Sequence, residues 1–337
     1  MKLGDLAQRG IIVHEDGYYI IRQPMPYPLA ESNSYLIECR SGWSIIDVGV
    51  DLPGTREIWE KALPEIGISF KQIDRILITH CHPDHLGAAR WLQELSEAPV
   101  LMSRDELNRA NKYIFLSGDF EAEYRRAIEG QCQKHGFSLQ FTADLIKDWH
   151  QEVTPLFKPP SVIQPFDEGD KFELLGQDFS AIQIPGHADG QIILWNPVRR
   201  HAFGADVVSK SAYLHFTDWP NTGLANPLKE FLTSLEKIES LGEIKTFPGH
   251  GPTFGDIQSL LQALRNRHQR WLDRISASVT SPVTAGELYT QVYQVADYIH
   301  HHRVVLGETL GYLVYLADMN RLSVKTDENR MTFAPID

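Results

Sequence analysis

The stretch Thr79-His80-Cys81-His82-Pro83-Asp84-His85-Leu86-Gly87 places three histidines and one aspartate within six consecutive positions. The apolar run Ile76-Leu77-Ile78 precedes it, and a segment with helical character, residues 88–95, follows it. Histidine nitrogen and aspartate oxygen are preferred ligands of zinc and similar transition metals. The pattern therefore predicts a buried strand whose end delivers several metal ligands into one loop.

The four ligand-type residues of this loop form two pairs. His80 and His82 are two residues apart, so the alternation of side chains along a strand directs both to one side and Cys81 to the other. The proline between the pairs suits the first turn of a helix, where its missing N–H group costs nothing. Asp84 and His85 then project from that turn at a different angle. One pair suits one metal and the second pair suits a neighbouring metal, while a histidine-rich turn without a metal is the alternative.

Four further segments carry residues of the same kinds, in order along the chain. They are Asp47 in Ile45-Ile46-Asp47-Val48-Gly49, His187 in Pro185-Gly186-His187, Asp206 in Gly204-Ala205-Asp206, and His250 in Pro248-Gly249-His250. Together with the histidine-rich loop, this series resembles the signature of the metallo-β-lactamase superfamily over about residues 10–255. The resemblance implies an α+β fold, the αββα metallo-β-lactamase sandwich, in which two sheets pack face to face with helices outside.

The resemblance also implies a two-metal site with seven ligands. The expected ligands of the first metal are His80, His82 and His187. Those of the second metal are Asp84, His85 and His250. Asp206 is the expected carboxylate that bridges both metals. Two zinc ions are the expected cofactors of this set, with manganese or iron as alternatives. Gln191 stands where many relatives carry a second histidine, but that position is not a ligand in the usual scheme.

The implied chemistry is hydrolysis. Two metals roughly 3.5–4 Å apart can share a hydroxide that forms near neutral pH, and one of them can polarise a carbonyl or phosphoryl oxygen. Asp84 is expected to help orient this nucleophile and to return a proton. Asp47 either orients a metal ligand by hydrogen bonding or is a plain turn residue before Gly49. Asp84 and Asp47 are therefore the candidate catalytic residues, and Cys81 is expected to be a bystander.

The chain is predicted to divide into a catalytic domain, residues 1–275, and a small C-terminal domain, residues 276–337. A helical insertion at about residues 104–160 interrupts the catalytic domain. Its aromatic side chains either wall a pocket for an apolar acyl chain or pack the insertion onto the sandwich. Tyr213 and His215, soon after the bridging carboxylate, either steady an oxyanion or are ordinary loop residues.

The C-terminal residues read as two helices and a hairpin. The first helix begins at Thr284 with Glu287 three residues later, which is a capping box. The arrangement resembles the winged-helix tail of one branch of the superfamily. Residues 276–337 contain seven acidic and four basic side chains, a poor electrostatic match for DNA. We therefore expect this tail to serve packing or homodimer formation.

The composition agrees with a soluble enzyme, and the expected substrate is a small molecule. The formal net charge is −12, with 44 acidic against 32 basic residues, which argues against general affinity for nucleic acid. The three cysteines, Cys39, Cys81 and Cys132, are odd in number and widely spaced, as expected for reduced thiols in the cytoplasm. The sequence shows neither a signal peptide nor an apolar run of membrane-spanning length.

The sequence is compatible with four functions. The first is a dinuclear metal-dependent hydrolase acting on a small thioester, ester or lactone. The second is an endonuclease for single-stranded RNA, which the acidic charge disfavours. The third is an iron-dependent oxidoreductase on the same fold, although that type usually has glutamate at the position of His82 and a fused flavin domain. The fourth is a catalytically silent binding protein, which the intact ligand set disfavours.

Overall fold

Two β-sheets form the centre of the molecule. The computed structural model describes residues 11–13, 16–26, 31–115, 119–148, 151, 154–156, 158–204, 206–209, 222–294, 299–327 and 330–336. The first sheet has seven strands in chain order: β1 (Ile11–Val13), β2 (Tyr19–Pro24), β3 (Glu31–Cys39), β4 (Gly42–Ile46), β5 (Ile73–Ile78), β6 (Val100–Ser103) and β7 (Ile163–Phe166). Strands β1–β4 are antiparallel, and β4–β7 are parallel.

The second sheet has five strands and faces the first. Its strands are β8 (Lys171–Leu174), β9 (Gln177–Gln183), β10 (Ile192–Asn196), β11 (His201–Gly204) and β12 (Lys245–Pro248). Their order across the sheet is β12-β11-β10-β9-β8, with β11 and β12 parallel and the other neighbours antiparallel. Strands β3 and β4 form a hairpin around residues 40–41, and a tight turn at residues 175–176 joins β8 to β9.

Aromatic side chains fill the space between the sheets. The Phe203 and Phe247 rings stack with centroids 4.9 Å apart, and Tyr18 and Tyr35 meet them edge-on. All four side chains are buried. Offset and edge-to-face packing of aromatic rings adds to the stabilisation from burying their apolar surface. This layer fixes the separation of the sheets, and with it the distance between loops that leave the two sheets.

Helices cover the outer faces of both sheets, which confirms the predicted αββα sandwich. Their bounds are α1 (Pro53–Ile66), α2 (Pro83–Leu86), α3 (Ala89–Ser96), α4 (Arg104–Tyr113), α5 (Asp119–Lys134), α6 (Leu139–Asp148), α7 (Pro227–Ser240), α8 (Ile257–Ser278), α9 (Ala285–Val292) and α10 (Ile299–Asp318). The short helix α2 begins at Pro83, as the sequence predicted. None of the helices in the described part of the chain combines the length and apolar character that a membrane span needs.

The insertion is helical, with a break that the sequence did not reveal. Residues 105–130 read as one helical stretch, whereas the structure ends α4 at Tyr113 and begins α5 at Asp119. Tyr113 and Phe115 are half-buried against the main hydrophobic core, in line with the packing role for the aromatics. Tyr213 and His215 lie outside the described residues.

The C-terminal residues dock onto the insertion. After α9 and α10 come the antiparallel strands β13 (Leu322–Thr326) and β14 (Met331–Pro335), so the predicted two helices and hairpin are present, and Thr284 and Glu287 form the predicted capping box. The Gly286 N–H group donates to the His135 carbonyl at 2.9 Å, and Phe137 lies against Tyr289 with ring centroids 5.8 Å apart. The division at residue 276 stays a prediction.

Gly136 tests how tightly these two regions fit. Gly136 and Gly67 both follow a helix, with φ of 83° and 86° and the same pair of hydrogen bonds back to the last turn. A Cβ atom on Gly136 would lie 2.4 Å from Thr284 Oγ1, whereas one on Gly67 would meet nothing within 4 Å. At either position, an alanine in the left-handed conformation costs about 1–2 kcal/mol. Only at Gly136 does overpacking add a cost.

We predict that Gly136→Ala lowers the free energy of unfolding by roughly 1–3 kcal/mol more than Gly67→Ala does, the usual cost of overpacking. Urea unfolding followed by tryptophan fluorescence measures both variants. Equal losses would mean that the tail does not press against the insertion at this point.

Candidate metal centre

Three histidines converge at the ends of strands from both sheets. His80 and His82 follow β5 in the first sheet, and His187 follows β9 in the second. His82 Nδ1 lies 3.0 Å from His80 Nε2 and 3.1 Å from His187 Nε2. His80 and His187 are buried, and His82 is half-buried. We call this set the three-histidine group, and one ring nitrogen from each member could bind a single metal ion.

A second group lies beside the first and contains two carboxylates. Its members are Asp84, His85, Asp206 and His250, all buried. His250 Nε2 lies 3.1 Å from Asp84 Oδ2 and 3.2 Å from Asp206 Oδ2, and His85 Nε2 lies 3.2 Å from Asp84 Oδ2. Within each of the two groups the potential ligand atoms lie within 4.8 Å of one another. We call this second set the mixed group.

The Asp206 carboxylate faces both groups. Its Oδ2 atom is 3.5 Å from His187 Nε2 in the three-histidine group and 3.2 Å from His250 Nε2 in the mixed group. Its Oδ1 atom is 3.5 Å from His85 Nε2. A carboxylate in this position could bind two metal ions at once, as a bridging ligand does.

Several of these atoms are buried without a hydrogen-bond partner. They are His85 Nε2, His250 Nε2 and Asp206 Oδ1. A buried polar atom without a partner costs free energy, and such atoms are rare in native proteins. Cations placed among these nitrogen and oxygen atoms would satisfy them, and the donors are of the kinds that transition metals prefer. The residues present therefore fit a pair of metal ions.

The charges of the mixed group also favour a cation. Burial lowers the pKa of His250, but Asp206 and Asp84 outweigh burial and raise it to about 10. Burial would raise the pKa of Asp84, yet His85 and His250 hold it well below its ordinary value of 3.8. Both carboxylates are thus ionised at neutral pH, since the pKa of Asp206 is lowered in the same way. A metal ion that enters this group displaces protons from its histidines.

The three-histidine group differs in charge. Burial, followed by the neighbouring His85 and His82, lowers the pKa of His80 well below its ordinary value of 6.5. The neutral imidazole is the form that binds a metal. His80 is therefore ready to bind at neutral pH.

The Asp47 carboxylate contacts the His85 ring nitrogen that faces away from the mixed group. Its Oδ2 atom lies 2.7 Å from His85 Nδ1 and accepts a hydrogen bond from Thr79 Oγ1 at 2.8 Å, while its Oδ1 atom accepts one from the Thr79 N–H group, also at 2.8 Å. The contact at Nδ1 turns His85 Nε2 towards the mixed group. This geometry favours the orienting role for Asp47 over the plain turn residue, although Asp47 also adopts a left-handed conformation with φ of 55°.

Strand β3 supports His250 in a comparable way. His250 Nδ1 lies 2.9 Å from the Glu31 carbonyl oxygen. Asn33 Nδ2 donates to the carbonyls of Pro248 at 2.9 Å and Gly251 at 2.8 Å, and Tyr35 Oη donates to the Pro248 carbonyl at 2.6 Å. Sequence reasoning missed these supports, because Asn33 and Tyr35 belong to no recognisable motif.

Two buried charged residues of α4 were also missed. Glu106 and Arg109 lie behind the histidine-rich loop, and Arg109 Nη1 donates to Cys81 Sγ at 2.8 Å. Cys81 is thus directed towards α4, as expected for a bystander. In the sequence this segment showed only helical spacing, and nothing there separated a buried Glu–Arg pair from an exposed one.

The orienting role of Asp47 predicts a selective loss of metal. In Asp47→Asn we expect the affinity of the mixed group for zinc to fall 10–100-fold, the usual effect of removing a hydrogen-bond partner of a ligand. The three-histidine group should keep its affinity, so zinc titration should resolve one tight and one weak site. Asp51→Asn is the control, because Asp51 pairs with Arg56 instead. Equal weakening of both groups, or of neither, would contradict this role.

Comparison with known proteins identifies the superfamily. A model of the metallo-beta-lactamase superfamily matches residues 28–250, about two thirds of the chain. The probable metallo-hydrolase YqjP of Bacillus subtilis is 21% identical over 317 residues, covering 93% of this chain and 96% of that protein. The hydroxyacylglutathione hydrolase GloC of Haemophilus influenzae is 25% identical over 208 residues, covering 62% and 79%. An atrochrysone carboxyl ACP thioesterase of Aspergillus fumigatus is 26% identical over 227 residues, covering 56% and 69%.

A solved structure extends the similarity to nearly the whole chain. A metallo-beta-lactamase family protein from Thermus thermophilus superposes with a TM-score of 0.79 at 25% identity, covering 95% of this chain and 99% of that one. The match therefore includes the insertion and the C-terminal residues. With the αββα sandwich and the two groups of histidine and aspartate side chains, these findings show that the chain belongs to the metallo-beta-lactamase superfamily and is a metal-dependent hydrolase.

Proposed function

We propose that this protein hydrolyses a small thioester at a two-metal site. The observation that carries the proposal is the Asp206 carboxylate between the two groups, 3.5 Å from His187 and 3.2 Å from His250. A carboxylate shared in this way suits two ions held close together. Hydrolysis by such pairs is well established as a type of catalysis.

Each group has its own part in this proposal. The proposed ligands of the first ion are His80, His82 and His187. Those of the second ion are Asp84, His85 and His250, and Asp206 is the ligand that both ions share. When bound, the ions would ionise a water molecule and polarise the carbonyl that is attacked. Zinc is the proposed metal, because five of the seven ligands are imidazoles.

The side chains of the site orient the reactants and move the proton. The Asp84 carboxylate is a member of the mixed group and is the proposed acceptor that takes a proton from the attacking water and then returns it to the leaving sulfur. Asp47 acts through His85, so it is a positioning residue and touches no reactant. Cys81 is not the proposed nucleophile, since its side chain is buried and directed away from the metal-binding groups, towards Arg109.

Two relatives support a thioester over other esters. One is named a thioesterase and the other a hydrolase of hydroxyacylglutathione. The net charge of −12 disfavours the single-stranded RNA endonuclease, because nucleic-acid binding depends on basic side chains. Esters, lactones and RNA remain as outcomes of the test, and metal analysis separates the hydrolase from an iron-dependent oxidoreductase.

Three further expectations belong to this proposal. The buried cysteines, none of them in a disulfide, suit the cytoplasm. The division into residues 1–275 and 276–337, with a winged-helix-like tail, is proposed from the helices and hairpin that follow α8. The tail packs on the insertion and is also the proposed surface for any homodimer.

Activity assays on variants of the site test the proposal. We predict that His82→Ala and Asp206→Asn each lower kcat/KM for an acyl-glutathione thioester at least ~10³-fold, because each removes a ligand that the reaction needs. The control is Asp178→Asn, an exposed carboxylate on β9, which should retain full activity. Circular dichroism should show the fold retained in all three variants.

The substrate panel contains acyl-glutathione, an aryl acetate, a γ-lactone and labelled single-stranded RNA. Thioester turnover that is lost with zinc removal and restored with zinc is the expected result. Full activity in His82→Ala or Asp206→Asn would refute the two-metal role. Cleavage of RNA without thioester turnover would refute the proposed substrate class.

A further inference from the structure

The first turn of α4 connects two loops of the metal centre. Glu106, in this turn, has a fully buried side chain. Its Oε2 atom accepts a hydrogen bond from the Cys81 N–H group at 2.8 Å, and its Oε1 atom accepts one from the Gly190 N–H group at 2.7 Å. Cys81 lies between His80 and His82, and Gly190 lies three residues after His187. One carboxylate therefore joins the two loops that carry the three-histidine group.

These loops leave different sheets, and a backbone hydrogen bond from the Ile192 N–H group to the Thr79 carbonyl, at 3.1 Å, links them where β10 begins and β5 ends. The histidine-rich loop follows β5 in the first sheet, and the Gly190 loop joins β9 to β10 in the second. The Glu106 carboxylate crosses between them beside the three histidines. A second link at this point, nearer to the histidines, opposes relative motion of the loops that would spread the histidine nitrogens apart.

The fit around Gly190 is close on both sides of its backbone. Ser103 Oγ donates to the Gly190 carbonyl at 2.7 Å and accepts from the Glu106 N–H group at 3.3 Å. A Cβ atom on Gly190 would lie 2.5 Å from Asp105 Cβ and 3.0 Å from Glu106 N. Only glycine allows this approach. The N–H and C=O groups of Gly190 are thus both held by residues at the start of α4.

Arg109 balances the buried charge of Glu106. Its Nη1 atom lies 3.5 Å from Glu106 Oε2 and donates to Cys81 Sγ, while its Nη2 atom lies 3.3 Å from His82 Nε2. Its Nε atom is 3.8 Å from Asp189 Oδ1. A buried ion pair contributes little stability by itself compared with well-packed apolar residues. The contribution of the Glu106–Arg109 pair is to hold the groups that it contacts, in the loops of Cys81 and Asp189, in fixed positions.

We propose that Glu106, held in place by Arg109, is a positioning residue that sets the metal affinity of the three-histidine group by joining the His80–His82 loop to the Gly190 loop. Glu106 touches only backbone groups of these loops, so it acts through them and contacts no reactant. The helical insertion thereby becomes part of the metal centre. The proposal rests on the metal site of the proposed function and not on its substrate.

Zinc binding in two variant backgrounds isolates this effect. His250→Ala impairs the mixed group and leaves the three-histidine group, whereas His187→Ala does the reverse. Glu106→Gln places an amide NH₂ group against one of the two backbone N–H donors, so at least one of the two hydrogen bonds is lost. We expect Glu106→Gln to lower zinc affinity 10–100-fold in the His250→Ala background. In the His187→Ala background zinc affinity should stay unchanged, because Glu106 contacts no residue of the mixed group.

Competition with a chromophoric chelator measures these affinities, and the absorption spectrum of the cobalt(II) protein reports the ligand geometry directly. The spectrum should change with Glu106→Gln in the His250→Ala background alone. Asp105→Asn is the matched control, because Asp105 lies in the same turn of α4, is exposed, and contacts Gln183 instead. It should change neither the affinity nor the spectrum.

Equal loss of zinc affinity in both backgrounds, or no loss in either, would overturn the proposal. Should Glu106→Gln fail to fold, Ser103→Ala decides, because it removes the bond to the Gly190 carbonyl. A lower zinc affinity in the His250→Ala background supports the proposal, and unchanged affinity overturns it.

These measurements use no substrate, so a failure of the thioester assay would not affect their outcome. A wild-type protein that binds fewer than two zinc ions would instead refute the proposed function.

Discussion

The structure depends on seven ligand-type side chains, six of them buried, that converge where loops from the two sheets meet. Nitrogen and carboxylate oxygen atoms buried without partners are costly, and His85 Nε2, His250 Nε2 and Asp206 Oδ1 are in this position. The ionised carboxylates of the mixed group raise the pKa values of His85 and His250, and cations placed among these atoms would satisfy them together.

The scaffold places these side chains through contacts that do not touch the reactants. The aromatic layer sets the spacing of the sheets, and hydrogen bonds then fix each loop. Asp47 fixes His85, β3 fixes the loop of His250, and Glu106 joins the remaining two loops. Each contact uses a backbone group or the outward nitrogen of an imidazole. The nitrogen that faces the centre is thus left available to a metal.

Much of this arrangement could be predicted from the sequence, and the reasons are local. The alternation of extended backbone predicted that His80 and His82 point to one side and Cys81 to the other. In the structure β5 ends at Ile78, and in the loop after it His80 lies beside His82 while Cys81 contacts Arg109. The starts of α2 and α9 follow from Pro83 and from the Thr284 capping box, and both predictions are confirmed. The convergence of His187, Asp206 and His250 on the loop depends on the packing of two sheets. Only the resemblance to a known family predicted it.

The supports of the site could not be predicted, because they are set by tertiary contacts. Asn33 and Tyr35 read as ordinary strand residues, yet they bind the Pro248 carbonyl across the sandwich. Glu106 and Arg109 have the charged side chains expected on an exposed helix face, yet both are buried. A crystal structure of the zinc-loaded protein, with anomalous scattering measured at the zinc edge, tests the central claim most directly. Two peaks roughly 3.5–4 Å apart, one beside each group and both next to Asp206, are the expected result, whereas a single peak or none among these side chains would contradict it.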